Sequence, residues 1–157
     1  MVTIATKAFF VSERCVLLVP RKSGRWKGYW DSYGGKVDCR EPVKTATVRE
    51  VLEESTVLVY VRDLEQVAVV RTYEHGELRF ELHVFIVRKW SGTPRETEEE
   101  GVPAWFPIER LPRRMRPTDR EWVERSLAGH TFEARVYVHP DGSPARKTMF
   151  RPRARFL

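Results

Sequence analysis

Between Arg49 and Glu54 the chain reads "REVLEE", which sets Glu50, Glu53 and Glu54 at i, i+3 and i+4 of a helical frame. At about 100° per residue the three carboxylates share one arc, and Val48, Val51 and Leu52 share an arc nearly opposite. Like charges at this spacing repel, at a cost of roughly a few tenths of a kcal/mol per pair. A divalent cation offsets that repulsion, and a ligand set made only of oxygen suits the hard ions Mg²⁺ or Mn²⁺. The competing account is a solvated acidic face whose charges pair with Arg49 or Lys44. Upstream, five residues separate Gly35 from Glu41, and seven more lead to Arg49.

An apolar face on that helix needs a sheet to dock on. "TIATKAFFV" and "RCVLLVPR" read as two strands joined by a turn at "SER", a hairpin. Residues 23–35, "SGRWKGYWDSYGG", lose all periodicity and read as a loop with aromatic anchors. The acidic helix starts near Pro42, since proline suits the first helical position. "VLVYVRDLEQVAVVRTY" and "ELRFELHVFIVRKW", separated by "EHG", predict a second hairpin. An acidic loop follows, then a short strand in "VPAWFPIERLP". A second helix over 117–128 carries Trp122 and Val123, and a last hairpin turns at "PDG". The order predicts an α/β (α+β) architecture, a mixed sheet flanked by two helices.

The chain has 157 residues, the size of one domain with its own core, so a single domain over 1–157 is expected. No apolar run approaches the roughly 18 residues of a membrane span, and the N-terminus lacks the pattern of a leader peptide. A cytoplasmic protein without a membrane partner is expected. Cys15 and Cys39 are too few for a disulfide framework and read as reduced thiols. The net charge of +6 raises the question of a nucleic-acid partner. Asparagine is absent and Gln66 is the single glutamine, while Arg, Glu and Lys abound, which favours a heat-adapted surface over nucleic-acid binding.

Gly35, Glu41 and "REVLEE" at these spacings resemble, residue for residue, the Nudix box, with the chain's box spanning 35–57. The resemblance implies the Nudix fold: a mixed sheet sandwiched between helices, with the box as loop-helix-loop. It implies Glu50, Glu53 and Glu54 as ligands of Mg²⁺ (or Mn²⁺), with the backbone carbonyl of Gly35 contributing. Glu100, in the acidic loop, completes that shell or is a solvated loop charge like Glu98 and Glu99. Glu41 and Arg49 take the positions that pair and brace the loop against the helix. Glu53 or Glu54 is the favoured base for the attacking water, with the acidic loop as another source. The box closes on Thr56 where the family has glycine. A β-branched residue resists the left-handed conformation, so a differently shaped helix end is expected.

"VLLVPRK", "YWDSYGGKV", "HVF", "GTP" and "MRPTDREW" are also similar, in order and spacing, to the oxidised-purine nucleoside triphosphatase branch, the MutT-like 8-oxo-dGTP diphosphatases. That implies hydrolysis of a nucleoside triphosphate to monophosphate and pyrophosphate. Asp31 stands where the branch has asparagine, Asp119 keeps one of two acids, Thr118 replaces the other, and Arg116 replaces a tryptophan. Asp31 and Asp119 are the candidate base-reading residues. Tyr33, Trp30 and Tyr73 are candidate stacking or anchoring aromatics, and Arg21 and Lys22 would steer the polyphosphate or sit solvated at a strand end. Two rivals remain: another nucleoside diphosphate derivative such as ADP-ribose or a dinucleoside polyphosphate, and a non-catalytic nucleotide- or RNA-binding module using "ARKTMFRPRARFL". Monomer and homodimer are both compatible with the sequence.

Overall fold

A computed structural model describes residues 1–156. Strands β1 (Thr3–Ser12) and β2 (Cys15–Pro20) form the expected hairpin, with Glu13 and Arg14 in the left-handed region at the turn. Residues 23–35 are not all loop: they end in two short strands, β3 (Trp30–Asp31) and β4 (Tyr33–Lys36), which pair with β2 and β1. Two- and four-residue strands are too short to show periodicity, and both are held by neighbours distant in sequence. Helix α1 (Val43–Ser55) follows Pro42, which sits extended at its N-cap.

The expected strand over 57–73 begins only at Leu64. Before it, Leu58 bridges to Ser91 and Val61–Asp63 makes one 3-10 turn. Strand β5 (Leu64–Glu74) then pairs with β6 (Glu77–Val87), with bulges after Gln66 and Thr72. Short β7 (Ala104–Pro107) pairs with β2. Helix α2 spans Arg120–Leu127, shorter at its start than the predicted 117–128. Strands β8 (Phe132–Val138) and β9 (Pro144–Pro152) form the last hairpin.

The strand order is β3-β2-β1-β6-β5-β8-β9, with β1–β6 and β5–β8 parallel and the other neighbours antiparallel. Alternation along β1 assigns the two faces. Phe9 and Val11 join Val84, Val70, Phe132, Trp122 and Val123 beneath α2. Ala8 and Phe10 join Leu17, Tyr33, Phe85 and Val51 beneath α1. One strand therefore supplies both cores, as period-2 geometry requires. Because α2 is short, the sheet face beyond it stays open between Thr3, Thr72, Leu82 and Val138. No helix among the described residues is long and apolar enough to cross a membrane.

Candidate active site

Helix α1 buries Ala46, Thr47, Val51, Glu54 and Ser55. Leu52, expected on the docking face, is 47% exposed, and the buried carboxylate Glu54 has turned inward. The cause is the pairing of β4 with β1: Gly34 lies opposite Lys7, and its free N–H donates to Glu54 Oε1 at 2.7 Å. A polar partner beneath the helix rotates the buried arc toward Glu54, which apolar periodicity alone does not register. A β-carbon on Gly34 would lie 2.0 Å from the carbonyl oxygen of Thr6, and one on Gly35 would lie 2.4 Å from the Glu50 carboxyl carbon. Gly34 needs glycine because backbone passes over it, whereas a side chain at Gly35 would push the Glu50 carboxylate aside.

Thr97, which no sequence motif marks, brings the acidic loop to this helix. Its hydroxyl donates to the Glu54 carbonyl at 3.0 Å and accepts from the N–H groups of Glu99 and Glu100. Glu100 also bridges to Arg21 on the backbone, and Gly101 N–H donates to Pro20 O. These ties bury Glu100 beside Glu54 and leave Glu100 Oε2 without a hydrogen-bond partner among the described residues. Burial raises the Glu54 carboxyl well above the ordinary range, reinforced by Glu100 and Glu50 and only partly opposed by the Gly34 N–H. Burial likewise raises Glu100 against the pull of Arg21, and Glu50 against that of Arg49.

Arg49 grips Glu41 with both ends of its fork, Nε to Oε1 at 2.9 Å and Nη2 to Oε2 at 3.0 Å. It also donates to Glu50 at 2.8 Å and to the Lys36 carbonyl at 3.1 Å, which binds the loop to the helix. Glu53 projects outward, 3.5 Å from Arg49. No three acidic, His or Cys side chains among the described residues converge on one point, since Arg49 stands between Glu50 and Glu53. Even so the donors fit a hard cation: Glu54 and Glu100 are buried side by side, one Glu100 oxygen has no hydrogen-bond partner among the described residues, and Glu50 lies against Gly35.

The helix end does not change shape at Thr56. With φ 67° and ψ 10° the threonine takes the left-handed conformation, and its N–H donates to Leu52 O at 2.9 Å. The exit toward Val57, buried beneath the same helix, outweighs the local preference of a β-branched residue.

A cavity of about 460 Å³ adjoins the carboxylates through Gly34 and Gly35. Its walls are the open sheet face, Trp122 of α2, Trp26, and Arg116, Thr118 and Asp119 from the segment before α2. Arg116 Nε donates to Asp119 at 2.8 Å. Arg21 belongs to the lining. Lys22 does not: it pairs with Glu96 at 3.1 Å and donates to the Thr97 carbonyl, fixing the acidic loop. Tyr33 is fully buried against Phe10, so it is a core anchor and has no face free for a base. Trp30 packs edge-on against Phe106, and Tyr73 stacks on Tyr137, both away from the lining. Asp31 is also absent from the lining. It is buried behind Lys7, which donates to Oδ1; Arg21 donates to Oδ2 at 3.1 Å and Ser32 N–H to Oδ1 at 2.8 Å. Burial opposes its charge, but Lys7, Arg116 and Arg21 hold the carboxyl well below the usual range. Lys7 and Trp26 were missed in the sequence because a lysine inside a strand and a tryptophan in a loop carry no motif.

The architecture is a two-helix mixed sheet with a carboxylate helix beside a cavity, and residues 2–126 match the NUDIX domain family; the chain belongs to that family. It is 33% identical over 110 residues to an oxidized purine nucleoside triphosphate hydrolase of Danio rerio, covering 69% of each chain. It is 32% identical over 127 residues to the protein of the same description from Mus musculus, covering 74% of each. The fold superposes on a MutT protein from Bacillus halodurans with TM-score 0.80 and 20% identity, over 95% of this chain and 97% of that one.

Proposed function

We propose that this protein is a Mg²⁺- or Mn²⁺-dependent nucleoside triphosphate pyrophosphohydrolase that cleaves oxidised purine substrates such as 8-oxo-dGTP to the monophosphate and pyrophosphate. It acts as a single cytoplasmic domain with a nucleotide, not a nucleic acid, as partner. The observation that carries the reading is adjacency: the apolar cavity and the buried carboxylates share the Gly34–Gly35 strip, so a base in one places its phosphates at the other.

Glu54, Glu50, Glu100 and the Gly35 carbonyl would hold the cation, with Glu53, which projects outward beyond Arg49, left to the attacking water. When bound, the cation neutralises polyphosphate charge and acidifies a water. Arg21 and Lys36, both in the lining beside the glycine strip, meet phosphate oxygens. Glu53 is the carboxylate of the set with solvent at hand, and it takes the proton of the attacking water. Arg49 and Glu41 do not touch substrate; they keep the helix and loop in register.

The test is product analysis on 8-oxo-dGTP, dGTP, dATP, ADP-ribose and diadenosine tetraphosphate with and without Mg²⁺. Release of monophosphate and pyrophosphate from the oxidised triphosphate, reduced about 10²–10⁴-fold in Glu53→Gln, is expected. Absence of cation-dependent turnover of every substrate would sink the reading. The amide-poor, ion-pair-rich surface supports a heat-adapted origin, which requires melting above the roughly 45–65 °C common to mesophilic domains.

A further inference from the structure

Lys7 is a buried lysine on the cavity floor, 6% exposed and flanked by Ala5 and Thr3 on the same face of β1. An ammonium has three donors. One is spent on Asp31, the only hydrogen-bond partner of this side chain among the described residues. Asp31 cannot receive a ligand, because Lys7, Arg21 and the Ser32 N–H already occupy it and Arg116 lies 4.0 Å away. Asp119 is engaged in turn by Arg116 and, at 3.4 Å, by Thr118. The lining thus carries the cations Lys7, Arg21, Lys36 and Arg116 against the single carboxylate Asp119. Both carboxylates are engaged internally, while donors on the buried Lys7 ammonium have no further partner among the described residues.

Resting on the reading of this cavity as the base site, we infer that Lys7 sets base specificity, selecting heterocycles whose buried edge presents carbonyl oxygens and rejecting those that present an amino group there. A carbonyl at the floor accepts from the unspent ammonium protons. A 6-amino group meets a cation and another donor, leaving both unpaired away from water, and sites of that kind discriminate by orders of magnitude. With the purine 6-position at Lys7, xanthine and 8-oxoguanine, which carry a 6-oxo group, belong to the accepted class; adenine and 8-oxoadenine, which carry a 6-amino group, to the rejected one.

The experiment measures kcat/KM for dXTP, 8-oxo-dGTP, dATP and 8-oxo-dATP in the wild type, Lys7→Met and Lys7→Arg. In parallel, quenching of tryptophan fluorescence, to which Trp26 and Trp122 in the lining contribute, follows binding of dXMP and dAMP without metal. The wild type is expected to favour the oxo-edged pair at least about 100-fold. Lys7→Met, which keeps the apolar stem and leaves Asp31 with Arg21 and Arg116, should narrow that ratio at least about tenfold. Lys7→Arg should retain most of it. Melting curves confirm folding, and if Lys7→Met does not fold, Lys7→Met/Asp31→Asn, which removes the buried pair together, is measured in its place. Turnover with equal preference for oxo and amino bases, or a ratio unmoved by Lys7→Met, overturns the inference while leaving the hydrolase reading intact. Selective binding of dXMP over dAMP, lost in Lys7→Met, supports the inference even if no triphosphate is cut; equal binding without turnover overturns it together with the reading.

Discussion

Replacing Thr56 by glycine should stabilise the protein. Thr56 closes α1 with φ 67°, in the left-handed region, and its side chain is exposed. An L-residue with a β-carbon is disfavoured there by about 1–2 kcal/mol. Glycine removes that cost but adds freedom to the unfolded chain, worth about 0.5–1 kcal/mol in the opposite direction. The net gain is about 0.5–1 kcal/mol, since the Thr56 N–H to Leu52 O bond involves only backbone and survives the change. For a domain of this size each kcal/mol moves Tm by about 2–4 °C, so a rise of about 1–4 °C is expected in cation-free thermal melts followed by circular dichroism. Thr56→Ala retains the β-carbon and should recover less than half of the gain. A Thr56→Gly protein that melts at or below the wild-type temperature, or an alanine variant that matches it, would refute the reasoning.

The Glu54–Glu100 pair has raised carboxyl pKa values, so the stability it contributes is fully present below the ordinary glutamate range and is lost as pH rises through the raised values. Glu100→Gln should therefore stabilise the cation-free protein at alkaline pH by about 1–3 kcal/mol and leave it unchanged in acid, and urea titrations at both extremes check this. Saturating Mg²⁺ at alkaline pH should raise the wild-type Tm more than that of Glu100→Gln, because the lost carboxylate is one that a cation would neutralise. Arg49→Lys keeps the charge but cannot grip both Glu41 oxygens, so kcat on the best substrate should fall about 10- to 100-fold with KM nearly unchanged; equal kcat values would show that the brace is dispensable.

Much of the fold was legible because it is written in local patterns. The alternating runs of β1 and β2, the helix after Pro42, and the turn at "PDG" each carry their own signal, and the order of elements followed. What stayed hidden depends on partners far along the chain. Strands β3 and β4 exist because β2 and β1 offer edges to them, and Tyr33 is drawn into the core by that pairing. Glu54 is turned inward by a backbone N–H twenty residues upstream. The spacing of the box brings Glu41 to Arg49 and Glu50 to Gly35, whereas placing Glu100 needs Thr97, which no pattern marks. Asp31 was read as a base reader because it stands where the branch has asparagine; only the fold, which lays β3 on β2 beside β1, reveals Lys7 in front of it.

The cavity walls come from separate pieces of chain: Lys7 from β1, Trp26 from the loop after β2, Phe80 and Leu82 from β6, and Arg116 to Asp119 from the segment before α2. The wall shared with the carboxylates is bare main chain at Gly34 and Gly35; a side chain at Gly34 would strike backbone, and one at Gly35 would displace Glu50. Recognition and hydrolysis are thus under unequal constraint. On the proposed placement of the base, a substitution in an outer segment would change which base is held without touching Gly34, so new substrates lie within reach of a point change while the carboxylates keep their seat.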